Sequence, residues 1–260
     1  MNYGLYLSAS GVLTNIYRQD VFTNNMANVE TAAFKPDVPA IAQRAPEAVE
    51  DPAGLEASQE LLEKLGGGVL AGRQRINFDR GELIRTERDL DLALEDEGQF
   101  FNIRGTDPAT GQPRQLLTRD GRLELNDAGE LVMIAGGYQL LDSTGQTIKV
   151  PDNAKVTIGR DGGVFADGER VADLGVSQVS NLGALVKQGS GLFAWEGADP
   201  RRAAEGPALR RGYVEGSGVD PVRALMEVVN AAKAVSSNAN MIRYHDTLLD
   251  RAVNQLGRIA

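Results

Sequence analysis

His245 is the only histidine of the 260 residues, and there is no cysteine, so histidine acid–base chemistry has one candidate and thiolate chemistry has none. It stands between Tyr244 and Asp246 with no nucleophile motif beside it, and reads as a surface or interface residue of a helix. Asp89, Asp91, Glu95, Asp96 and Glu97 form an acidic group. Two carboxylates across a cleft could do the acid–base work of a secreted hydrolase on a β scaffold. The spacing does not fit a calcium loop. Strand alternation would put Asp89 and Asp91 on one face, where charge guards an edge against unwanted pairing. Gly66-Gly67-Gly68 and Gly189-Ser190-Gly191 match neither a dinucleotide fingerprint nor a phosphate loop, and read as turns. The expectation is a chain without catalytic, cofactor-binding or metal-ligating residues.

Charge points the same way. The formal net charge is −9, and residues 36–211 hold all of it, with 20 basic against 29 acidic side chains, while both ends are balanced. An acidic middle disfavours nucleic acid, whose binding needs Lys and Arg to displace counterions. Neutral ends can pack together without strong repulsion. The first residues lack the basic region and continuous apolar run of a cleaved secretory signal. No stretch approaches the roughly 20 apolar residues that span a bilayer. The expectation is a protein with no direct membrane insertion that leaves the cell, if it does, by a route needing no such signal.

The elements that position these residues fall into blocks. From Gly4 to Ala27 the residues Leu5, Ala9, Val12, Ile16, Gln19, Thr23 and Met26 recur at three- and four-residue steps, one face of a helix that should close near Asn24, Asn25 and Asn28. Prolines 36, 39, 46 and 52 then break regular structure, and 55–65 can form one short helix. From 73 to 195, short runs alternate with Asp120-Gly121, Ala128-Gly129, Asp161-Gly162 and Asp167-Gly168, as in antiparallel hairpins. Residues 197–218 read as a loop. Asp220-Pro221 supplies an N-cap and a first-turn proline. The helix behind it carries Val222, Leu225, Val229, Ala232, Ala239, Ile242, Leu249, Val253 and Leu256, and would be roughly 55 Å long at 1.5 Å per residue.

The periodicities predict an α+β fold: long N- and C-terminal helices packed together as a coiled-coil-like helical domain, with a central antiparallel β-rich domain. The boundaries expected are 1–35 with 219–260 for the helical part, 36–72 for a linker with a short helix, 73–211 for the β-rich domain and 212–218 for a glycine hinge at Gly212, Gly216 and Gly218.

Three blocks resemble one family. Asp20-Val21-Phe22-Thr23-Asn24-Asn25-Met26-Ala27-Asn28-Val29-Glu30-Thr31-Ala32-Ala33-Phe34-Lys35 resembles the signature with which bacterial flagellar rod and hook proteins close their first helix. Gly212-Tyr213-Val214-Glu215-Gly216-Ser217-Gly218-Val219-Asp220-Pro221 is similar to the element before their last helix. Leu90-Asp91-Leu92-Ala93-Leu94, Gly98-Gln99-Phe100-Phe101 and Thr118-Arg119-Asp120-Gly121 agree in between. The family usually has Gly where Ala33 stands and Asn where Gly218 stands.

The resemblance implies a structural subunit of the basal-body rod, exported through the flagellar type III apparatus, whose terminal helices build a torque-transmitting tube. Its implied partners are other rod and hook subunits and copies of itself, with a hook-type subunit as the neighbouring alternative. The implied assembly interface is Leu5, Val12, Ile16, Asn24, Asn25, Asn28, Leu225, Val229, Ile242, Leu249 and Val253. A left-handed conformation at Ala33 would cost its Cβ about 1 kcal/mol.

Overall fold

The computed structural model describes residues 3–45, 67–106, 111–151, 154–197, 202–204 and 206–256. The short helix expected at 55–65 lies outside the described residues. The chain forms two compact units, one of 1–27, 37–75 and 220–260, the other of 28–36 and 76–219.

The first unit holds helix α1 (Tyr3–Ala27) and helix α2 (Pro221–Leu256), the two α-helices among the described residues. Asp220 caps α2 as expected, its Oδ1 accepting from the backbone N–H of Val222 at 2.9 Å and of Arg223 at 3.0 Å. The helices run antiparallel. A Cβ built on Gly4 would lie 2.5 Å from the His245 ring, and one on Gly11 would lie 3.1 Å from the Asn238 amide. The two pairs are seven residues apart on each helix. The same step brings Arg18 opposite Ala231 and Asn25 opposite Ala224, and both alanines are buried. A different side of α1 packs on the strand Val69–Ala71, which pairs antiparallel with Ile41–Gln43. There Tyr17 Oη donates to the Gly72 carbonyl at 3.2 Å.

This corrects the expected fold class. The terminal unit is not a coiled-coil-like helical domain, because two helices share it with a two-stranded ladder. Nor are the apolar stripes its seam: Ile16, Val222, Leu225, Val229 and Val253 are exposed, and glycine, alanine, Asn238 and His245 form the contact. Small residues let two backbones approach closely there, and many of the larger apolar side chains of both helices are left exposed.

The second unit is β-rich. Its main sheet has six antiparallel strands in the order 185–189, 192–195, 113–118, 99–106, 176–178, 202–203. The strands 156–158, 163–166 and 169–173 form a meander through turns at Asp161-Gly162 and Asp167-Gly168, as the turn chemistry predicted. Ala128-Gly129 likewise joins the paired strands 123–125 and 131–133. Asp120-Gly121 does not make a hairpin, since the strands before and after it belong to different sheets. The segment 197–218 is not simply a loop either: 209–211 pairs with 92–94, and 213–215 pairs with 83–85. One apolar core gathers Leu92, Leu94, Phe101, Ile103, Leu131 and Met133 with their neighbours. A second surrounds Phe100 and Phe193, whose rings meet edge to face at 5.8 Å.

Candidate functional site

Within the β-rich unit the three resembling blocks converge on one buried cluster of charge. Lys35 comes from the segment after α1, Arg119 from the end of the strand Pro113–Thr118, and Glu215 from the end of the strand Tyr213–Glu215. Glu215 Oε1 lies 2.6 Å from Lys35 Nζ, and Oε2 lies 2.6 Å from Arg119 Nε, with all three side chains almost fully removed from solvent. The backbone N–H of Gly81 donates to Oε1 at 3.0 Å.

Each cation has further partners beyond the carboxylate. Lys35 Nζ donates to the Asp79 carbonyl at 2.8 Å. The Arg119 guanidinium donates to the carbonyls of Gln99 at 2.8 Å, Asp96 at 3.1 Å and Leu94 at 3.3 Å. Two cations face one anion, and four carbonyl dipoles offset the remaining positive charge. Burial pushes the Glu215 carboxyl up, but Arg119 and Lys35 together outweigh it and hold the group below the ordinary carboxylate range. Burial also pulls the Lys35 ammonium down, and Glu215 offsets only part of that. A carboxylate sealed from solvent and held by three donors from three separate segments is closed to a substrate by burial, and its geometry holds those segments together.

The same place joins the two connections of the chain to its helices. Ala33 N–H donates to the Glu215 carbonyl at 2.8 Å, Gly218 N–H to Phe34 O at 2.9 Å, and Ser217 Oγ to Asn28 O at 2.9 Å. Ala33 does adopt the left-handed region, at φ 55°, and is buried. Replacing Ala33 with glycine is therefore expected to stabilise this unit by about 0.5–1 kcal/mol. A rise in the urea midpoint followed by the single Trp, Trp195, would show it, and a fall would refute the cost assigned to its Cβ.

The other sequence-derived residues scatter. Asn25 clamps the chain beyond α1: its amide donates to the Asp37 carbonyl at 2.7 Å and accepts from the Asp37 N–H at 2.9 Å. Asn28 Oδ1 accepts from Thr31 Oγ1 at 3.1 Å, and Asn24 is exposed. Leu5, Val12 and Ile242 are half-buried, and Leu249 is exposed near the end of α2. Gly212 has φ 75° and donates to Asp91 O at 2.8 Å, and Gly216 donates to Glu82 O at 2.8 Å. A Cβ on Gly218 would meet Pro36 Cδ at 3.0 Å.

The acidic group does not form a cleft. Asp89 is exposed in a turn 3.9 Å from Arg211, Glu95 is 3.9 Å from Arg210, and Asp91 is buried in the bridge to Arg122. Asp89 and Asp91 thus do not share the solvated face expected of them. Sequence reasoning passed over Lys35, Arg119 and Glu215 as roles. A usable signal was there for two of them: Lys35 and Glu215 each stand as the one charge of an apolar or glycine-rich run, Ala32-Ala33-Phe34-Lys35 and Tyr213-Val214-Glu215-Gly216, whereas Arg119 has Asp120 beside it.

Comparison with known proteins agrees with these blocks. The family described as flagellar basal body rod FlgEFG protein C-terminal matches residues 210–256, and the one described as flagellar hook protein FlgE/F/G D1 domain matches residues 95–166. The chain is 29% identical to the flagellar basal-body rod protein FlgG of Bacillus subtilis, covering 96% of this chain and 97% of that one. It is 28% identical to the flagellar hook-basal body complex protein FlhP of the same species, covering 94% and 96%. It is 30% identical to the flagellar basal-body rod protein FlgF of Caulobacter vibrioides over the full length of both. With both terminal connections and the strand between them meeting at one ion cluster, and with likeness running from end to end, the chain belongs to the flagellar basal-body rod protein family.

Proposed function

We propose that this chain is a structural subunit of the flagellar rod, that it assembles through α1 and α2 into a helical tube carrying torque from motor to hook, and that it catalyses nothing. The observation that carries this is the uncovered apolar surface of the helices. Leu13 and Ile16 on α1, and Val222, Leu225, Val229 and Val253 on α2, are exposed although α1 and α2 pack together. Burying each such side chain contributes about 1.5–3 kcal/mol before the costs of ordering and association are subtracted. Repeated heterologous contacts that do not close by rotation generate a helical filament, which is the geometry a rod needs.

The names of the relatives support other rod and hook subunits, together with further copies of this chain, as the partners. Passage through the flagellar type III export apparatus and residence in the periplasmic part of the rod complete the reading. Among the described residues no helix is long and apolar enough to cross a membrane. The test is deletion of the gene in the source bacterium followed by imaging of purified basal bodies. A truncated rod, restored by the intact gene, is expected, and intact flagella on the deletion strain would overturn the proposal.

A further inference from the structure

The chain passes between its two units at 27/28, 36/37, 75/76 and 219/220. On the β-rich side those crossings leave from three short segments. Segment 28–36 has a crossing at each end, 76–82 has one before it, and 215–219 has one after it.

Within the β-rich unit these segments are tied to one another on every side. Asn77 N–H donates to the Pro36 carbonyl at 2.9 Å, which joins the first to the second. Gly216 N–H bonds the Glu82 carbonyl, which joins the second to the third, and the Ala33 and Gly218 N–H groups join the third to the first. Glycine lets the backbones come this close, since a Cβ on Gly81 would lie 2.2 Å from the Gly216 carbonyl oxygen. The Glu215 carboxylate then reaches both other segments at once, through Lys35 and through the Gly81 N–H, while Arg119 fastens it to the end of a sheet strand. Every covalent route out of the β-rich unit thus starts at one knot around a single carboxylate.

Stability alone does not call for ions here, because apolar side chains would fill the same space without the cost of desolvating three charges. What apolar side chains would not supply is direction. Apolar contact is non-directional and lets segments slide, whereas a hydrogen bond fixes distance and angle, and a buried network of them is rigid. We infer that Lys35, Arg119 and Glu215 form the torsion joint of the subunit: they hold the outgoing segments in one register, so that torque carried by the helices turns the β-rich unit with them. The three act by positioning backbone. The inference rests on the rod-subunit reading and adds the residues through which the load passes.

Lys35→Met separates this role from stability. Methionine has a similar length, and Glu215 keeps Arg119 and the Gly81 N–H, so no charge is stranded. The triple replacement Lys35→Met, Arg119→Leu and Glu215→Leu is carried alongside, and so is Gly145→Ala, a destabilising change at φ 86° that touches none of the three segments. Each chain would replace the native one in the source bacterium and be quantified in purified basal bodies. Hooks and filaments shed with a broken rod would be counted after swimming in dilute buffer and in a viscous polymer solution. The expected result is incorporation of every variant, with shedding in the viscous solution at least fivefold above native for Lys35→Met and the triple replacement, and at the native level for Gly145→Ala. Native shedding from both knot variants would overturn the inference while leaving the rod reading intact. Equal shedding from Gly145→Ala would trace the defect to lost stability and overturn it too. Absence of both knot variants from basal bodies would make the knot a folding element instead of a joint, and absence of the native chain would overturn the rod reading as well.

Discussion

Replacing Glu215 with alanine is expected to cost the β-rich unit about 3–5 kcal/mol, because Lys35 and Arg119 would then stay buried without their anion. A loss of that size is a large part of the 5–15 kcal/mol typical of a whole domain. The β-rich unit would be largely unfolded at urea concentrations that leave the native chain folded, and Trp195 fluorescence would report it. The apolar triple replacement Lys35→Met, Arg119→Leu and Glu215→Leu is expected to cost much less, since removing all the charges leaves none stranded. If the triple variant were as damaged as Glu215→Ala, uncompensated charge would not be the cause.

The same group sets a pH dependence. The folded-state pKa of Glu215 lies below its unfolded value of about 4.3, so the unfolded state takes up the proton first as pH falls. Its contribution is complete above that value and is lost as pH drops through the folded one. Urea midpoints should therefore fall more steeply for the native chain than for the triple variant as pH drops through and below about 4.3.

Gly121→Ala is expected to be the next most damaging single change, at about 3 kcal/mol. A Cβ there would lie 1.9 Å from the Leu92 carbonyl oxygen, and backbone cannot swing aside as a side chain can. Leu92 is fully buried, and its N–H donates to the Gly121 carbonyl at 2.9 Å, so relief would cost a core contact, a hydrogen bond, or both. Gly145→Ala serves as the comparison, because its φ of 86° is strained for alanine although nothing lies within 4 Å of the new Cβ. That change should cost only about 1 kcal/mol. Similar urea midpoints for the two variants would refute the steric argument.

What could be read from the sequence follows from the range of each signal. The cap at Asp220-Pro221, the close of α1 near Asn28 and the turns at Gly129, Gly162 and Gly168 depend on neighbours a few residues away, and the structure has them where local chemistry put them. Asp120-Gly121 carried the same local signal yet is not a hairpin, because close packing on Leu92 fixes that glycine. The helix seam was misassigned for a related reason. Periodicity finds where the large apolar side chains lie, whereas α1 and α2 approach through Gly4, Gly11, Ala224 and Ala231, which carry almost no apolar weight. The ion cluster joins residues from three distant blocks, and no spacing rule connects Lys35 with a carboxylate that far along the chain. Resemblance to a family marked those blocks without saying that they touch.

The ion pair between Lys35 and Glu215 spans 180 residues of chain. A contact that distant is made late, since the entropy of closing so long a loop must be met before the bond returns anything. During synthesis the lysine and the arginine emerge well before their carboxylate, and they wait in water. The β-rich unit therefore cannot finish folding until the last strand is made, so a ribosome that stalls between residues 119 and 215 leaves an unfinished unit with two unmatched cations.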